Sequence, residues 1–186
     1  MGLAISWCGV QGSRADVLDA AHLQDTNEAD EYYETAFAAA DFPGGWTVIV
    51  AKDFSHFLDE GRLKEFSKGR RLVAVLVEEH AMFCKASEWR DGAEIWSAEH
   101  DGDTGPAMQT SGALPASFAD VHAEMLAKQE SDKEVDFIFE VPVVLAQQIV
   151  GFKHDEELPG GSKFMKVLPI TSDRGKGGGL FGLFRK

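Results

Sequence analysis

Three of the six histidines stand beside carboxylates, in Glu78-Glu79-His80, Glu99-His100-Asp101 and His154-Asp155-Glu156. An imidazole next to a carboxylate can ligate zinc, manganese or iron, or share a proton in general acid and base chemistry. If folding brings the clusters together, His80, His100, Asp101, His154 and Asp155 are the candidate metal ligands. None has a diagnostic spacing, such as two histidines four apart on one helix face with an intervening glutamate. With Asp and Glu supplying 31 of 186 residues, a histidine beside an acid also needs no function to explain it. No cofactor is expected, and a divalent metal is the exception these residues leave open.

Other chemistries find less support. Cys8 and Cys84 are far apart, and neither has a second cysteine at metal or redox spacing, so both are expected to be small buried apolar residues. Asp101-Gly102-Asp103-Thr104-Gly105 lacks the further acidic ligands of a calcium loop and reads as a turn. Gly175 to Gly179 lacks the Gly-Lys-Ser/Thr ending of a phosphate loop, and no Gly-x-Ser-x-Gly elbow occurs. Trp89 and Trp96 flank Arg90-Asp91-Gly92 and are candidates to wall a small-ligand pocket, because an indole offers a broad apolar face with one N–H.

The elements that must position these residues follow from periodicity. Leu3, Ile5 and Trp7 alternate with smaller residues, the period of two of a strand. Ser13 with Asp16 forms a capping-box pattern ahead of a short helix. Gln24 to Glu34 is acidic with no apolar period and reads as a solvated connection. Pro43-Gly44-Gly45 separates Thr35–Phe42 from the β-branched run Trp46–Val50, predicting a hairpin. Leu58, Leu63 and Phe66 predict a broken helix, and Leu72–Val77 is apolar throughout, as suits a central strand covered on both faces. Phe83–Trp89 and Ala93–Glu99 form a second hairpin about Asp91-Gly92, and Ala107–Ser111 returns as a further strand. Pro115 opens a helix running to Lys128, Val135–Phe139 alternates as a strand, and Pro142 opens a last helix that Gly151 ends.

The pattern predicts an α+β domain over residues 1–168: a mainly antiparallel or mixed sheet of about six to seven strands packed by about four helices. Residues 169–186 are read as a Gly-rich tether with a basic, apolar tip. There Leu180, Phe181, Leu183 and Phe184 are candidates to dock on a groove.

Lys and Arg number 18 against 31 acids, and the net charge of -13 would repel phosphate backbones and anionic lipid heads. Nucleic acid and membrane insertion are therefore not expected. Residues 1–6 carry no basic run and no long apolar run, so the expected location is the cytoplasm.

Val77-Glu78-Glu79-His80, Trp89-Arg90-Asp91-Gly92, Trp96-Ser97 with His100-Asp101, and Gly151-Phe152-Lys153-His154-Asp155 resemble signature stretches of a small family of bacterial cytosolic proteins to which no activity attaches. The resemblance covers most of residues 1–168; it implies a bacterial cytosolic protein and carries over no functional residue. Excess negative charge without a catalytic motif favours a non-catalytic protein that holds a protein partner, as an adaptor or inhibitor would. The alternative is a metal-dependent hydrolase or small-molecule enzyme using the histidine and carboxylate clusters.

Overall fold

A computed structural model describes residues 3–57, 59–105, 107–159 and 162–170. The tip residues Leu180, Phe181, Leu183 and Phe184 lie outside the described residues.

Among the described residues nine strands form one antiparallel sheet: β1 (Ala4–Gln11), β2 (Leu23–Ala29), β3 (Phe37–Phe42), β4 (Trp46–Ala51), β5 (Arg71–Glu78), β6 (Phe83–Arg90), β7 (Ala93–Asp101), β8 (Met108–Gly112) and β9 (Met165–Pro169). Their order across the sheet is β2-β9-β3-β4-β1-β5-β6-β7-β8. The expected count of six to seven is corrected to nine, whereas the antiparallel α+β architecture and four α-helices stand as expected. These helices are α1 (Arg14–Ala20), α2 (Glu60–Phe66), α3 (Phe118–Ser131) and α4 (Val141–Val150).

Local chemistry explains the boundaries. Ser13 caps α1 by accepting a hydrogen bond from the Asp16 N–H, and Gly151 ends α4 in the left-handed conformation. Asp91 and Gly92, with φ of 50° and 80°, close the β6–β7 hairpin as a tight turn of the primed kind. Two departures concern β2 and Val135–Phe139. The polar Gln24–Ala29 stretch is an edge strand held by β9, not a solvated connection. The Val135–Phe139 stretch is no strand: Ile138–Glu140 is a 3₁₀ turn leading into α4, and the Asp136 carboxylate accepts from the Phe139 N–H. Side-chain alternation resembles a strand there, but the backbone bonds within the segment instead, the Glu140 N–H donating to the Phe137 carbonyl at 3.1 Å.

The sheet is covered on both faces, by unequal layers. One face carries α3 and α4 over Trp7, Val75, Ala86 and Trp96, with α4 packed across β5, β6 and β7. Its close approach depends on Gly9 in β1, where a Cβ would lie 2.6 Å and 2.8 Å from the Val150 methyl groups. The other face carries α1, α2 and a 3₁₀ turn at Phe54–Phe57 over Cys8, Val10, Ile49, Leu72 and Trp89. Helices of seven residues are about 10 Å long. Nine strands span about 38 Å at 4.8 Å each, so this layer leaves part of the sheet uncovered.

Candidate functional site

The uncovered part is a cleft of about 580 Å³. Its floor is apolar, formed by Leu23 at the start of β2, Phe37 of β3, Ile49 of β4, and Phe57 and Phe66 beyond them. Its rim is polar, with His22, His56, Arg62, Glu65 and Arg70. The sequence places them there by ordinary local rules. Asp59 caps α2 by accepting from the Arg62 N–H, and Leu63 and Phe66 turn inward while Arg62 and Glu65 face outward at helical spacing. His56 is wedged between aromatic rings, edge-on to Phe37 and Phe57 with centroids 4.8 Å away in each case.

Two features set the electrostatics. Arg62 Nη1 lies 2.8 Å from His56 Nδ1 and 2.7 Å from Nε2, so the guanidinium sits against the ring between its two nitrogens. Burial first, and the Arg62 cation second, drive the His56 pKa down to about 4, with Asp53 pulling weakly the other way. The second feature is the charge of the rim arginines, answered at Arg62 only from a distance by Asp53. Arg14, Arg71 and Arg90 each hold a carboxylate, whereas Arg62 and Arg70 hold none among the described residues. Glu65 is answered by Lys68, whose Nζ reaches its oxygens at 2.7 Å and 2.6 Å.

The clusters singled out by sequence meet only in part: Glu79, beside His80, lies close enough to His154 to act on its charge. His80 is exposed in the β5–β6 turn. His100 is buried on β7, its Nε2 2.8 Å from Asp136 Oδ2. His154 is half-buried beyond α4, where burial lowers its pKa against the pull of Asp155. Asp101 caps the Gly102–Thr104 turn by accepting from the Asp103 N–H, and Asp155 pairs with Lys153 at 3.2 Å. Among the described residues no three His, Cys, Asp or Glu side chains are grouped to hold a metal ion. Both cysteines are buried, and burial pushes each thiol well above its ordinary pKa.

Trp89 and Trp96 wall no common pocket, because they lie on opposite faces of the sheet. A β-bulge between Glu88 and Trp89 pairs Glu88 with Trp96 and Trp89 with Glu94. That single extra residue sends Trp96 to the α4 face, where its indole N–H donates to Glu88 at 3.0 Å. Arg71 adds two hydrogen bonds to Glu88, at 2.8 Å and 2.9 Å, and stacks on Trp46 at 5.4 Å. Burial opposes the charge on Glu88, yet these donors and Arg90 hold its carboxyl below the usual range. The Glu88 carboxylate at the centre of this cluster is enclosed by Arg71, Arg90 and Trp96 and faces no cavity among the described residues.

No family model, curated protein or solved structure matches the chain.

One surface feature was missed in sequence. The β2–β3 connection, read as merely acidic, is a pinned loop. Asp30 is buried, and its carboxylate accepts from the N–H groups of Glu34 and Thr35 at 2.8 Å and 3.0 Å and from the Thr35 hydroxyl. Burial opposes the Asp30 charge, but these donors, with Lys52, keep its carboxyl below the usual range. Tyr33, at φ 55°, turns inward onto Phe164 with ring centroids 5.0 Å apart. Its neighbour Tyr32 is thereby thrust outward, 79% exposed, among the exposed Glu28, Glu31 and Glu34. The signal in the sequence was the only pair of tyrosines in the chain, set inside an acidic run.

Proposed function

We propose that the chain is a non-catalytic binding protein that holds a basic protein partner, as an adaptor or inhibitor would, with Tyr32 as the anchor of the contact. The observation that carries this reading is the pinned Asp30–Thr35 loop, which displays Tyr32 while anchoring Tyr33 and the buried Asp30 beneath it. Exposing a tyrosine on an ordered loop avoids the ordering cost that a flexible loop incurs on association. Tyrosine is also among the residues that most often dominate interface energies. Glu28 is paired with Lys166 at 3.2 Å, but Glu31 and Glu34 beside Tyr32, in a chain of net charge -13, favour a partner of opposite sign and would speed encounter with it.

The test is capture of partners on immobilised protein at low and at high salt, with the wild-type chain beside Tyr32→Ala. The expected outcome is a basic protein retained at low salt, released at high salt, and bound at least about tenfold more weakly by the variant. Equal retention by Tyr32→Ala and wild type, or no basic protein bound at either salt, would overturn the proposal.

A further inference from the structure

We infer that the cleft between α1, α2 and the Phe54–Phe57 turn is a second, independent binding site, for a small organic anion with an apolar body. Its volume of about 580 Å³ falls within the range of sites that enclose small ligands. The floor of Phe37, Ile49, Phe57 and Phe66 would receive the apolar part. The head must be an anion because of the rim. In a chain with 31 acidic residues, Arg62 and Arg70 both line this cleft and neither holds a carboxylate among the described residues. The one rim acid, Glu65, is already paired with Lys68.

A guanidinium offers a planar fork that fits a carboxylate or phosphate with two parallel hydrogen bonds, which a neutral head cannot match. Arg62 is also oriented from behind by the ring of His56 at 2.7 Å. The His56 imidazole, held between Phe37 and Phe57, thereby fixes a side chain that would otherwise sweep the solvent. This is the arrangement of a polar group prepositioned at the mouth of an apolar pocket. The cleft is separate from the Tyr32 loop, so either site can fail without the other.

The test uses the full chain and three probes of matched length: decanoate, decyl phosphate and decanol. Binding is followed by calorimetry and by the ring resonances of His56 and Phe57. At least one of the two anions should bind one per chain and shift those resonances, with the preferred anion identifying the head group, and decanol should bind about tenfold or more weakly. Arg62→Gln and Arg70→Gln should each weaken the anion by about tenfold, and Lys64→Gln, on the same helix but outside the cleft, should not. Arg62 is exposed, so its replacement leaves the core intact, and circular dichroism of each variant checks this. Equal affinity for decanol, indifference to both arginine replacements, or no binding of either anion would overturn the inference.

Discussion

Acidifying the protein from pH 7 to pH 4 should cost stability through His56 in particular, and the size of the loss follows from its surroundings. The folded chain holds the imidazole neutral down to about 4, against an ordinary value of 6.5, because burial and the Arg62 guanidinium both oppose a second positive charge. The unfolded chain has neither constraint and takes up its proton near 6.5. Between these two values the unfolded state therefore binds more protons, so stability rises with pH across the window. The contribution of His56 is complete above 6.5, drains as pH falls and is exhausted below about 4. At 1.36 kcal/mol per pH unit the ceiling is about 3 kcal/mol, and solvent screening at a half-exposed site reduces it to about 1 to 2 kcal/mol.

Urea unfolding at pH 7.0 and 4.5 on the wild type and on His56→Gln isolates this share, since the other acid-sensitive groups are common to both. The wild type should lose about 1 to 2 kcal/mol more than the variant over that range. An NMR titration supplies the direct check. The His56 midpoint should lie near 4 and move upward in Arg62→Gln, where one opposing charge is gone. A wild-type midpoint of 6 or above, or one indifferent to Arg62, would refute the account of the cleft rim.

Two further outcomes concern the framework. Glu88→Ala strips a buried carboxylate from Arg71, Arg90 and the Trp96 N–H, and should destabilise by about 3 to 5 kcal/mol in urea unfolding. Glu88→Gln, which keeps an acceptor, should cost less. Gly9→Ala places a methyl group 2.6 Å from a Val150 methyl, and α4 must lift to admit it, at about 1 to 3 kcal/mol in thermal unfolding. Val150→Ala in the same chain should recover part of the loss, whereas no recovery would mean the strain lies elsewhere.

How much of this was legible in the sequence depended on whether a residue's partners lay nearby or far along the chain. The apolar run Leu72–Val77 required a strand buried on both faces, and β5 is one. Asp91-Gly92, Ser13 with Asp16, and Pro142 with Gly151 specify their turn and helix ends through bonds within a few residues, and all appear in place. The β2 strand was illegible because Leu-Gln-Asp-Thr-Asn-Glu-Ala has no strand period; it becomes a strand only when β9 pairs with it, as Gln24 with Leu168. Trp89 and Trp96 were misplaced for a subtler reason. A regular ladder from the Asp91-Gly92 turn would set Trp96 opposite Ser87, on the side of Trp89, and one bulged residue reverses that. The cleft was invisible because its rim comes from α2, from the turn before it and from the start of β2, each unremarkable alone.

Both proposed sites belong to the same half of the sheet, and their position follows from how that half is built. β9 inserts between β2 and β3, so the last described strand closes a structure begun with the first hairpin. On one side of this assembly Tyr33 packs on Phe164 just before β9, and the bend it fixes is what presents Tyr32. On the other side the ends of β2 and β9, with the edge of β3, supply Leu23, Pro169 and Phe37 to the cleft. The opposite half carries α4 across β5, β6 and β7, and its polar residues Glu88 and His100 face internal partners, Glu88 through Arg71 and His100 through Nε2 to Asp136. Where the long helices seal the sheet, Glu88 and His100 are turned inward onto Arg71, Trp96 and Asp136. Where only seven-residue helices cover it, apolar surface and arginines paired with no carboxylate among the described residues remain, and those are the groups available to bind something else. Tyr32→Ala and Arg62→Gln are decisive replacements for this reason: both side chains are exposed, and neither disturbs the long-range pairing on which both sites stand.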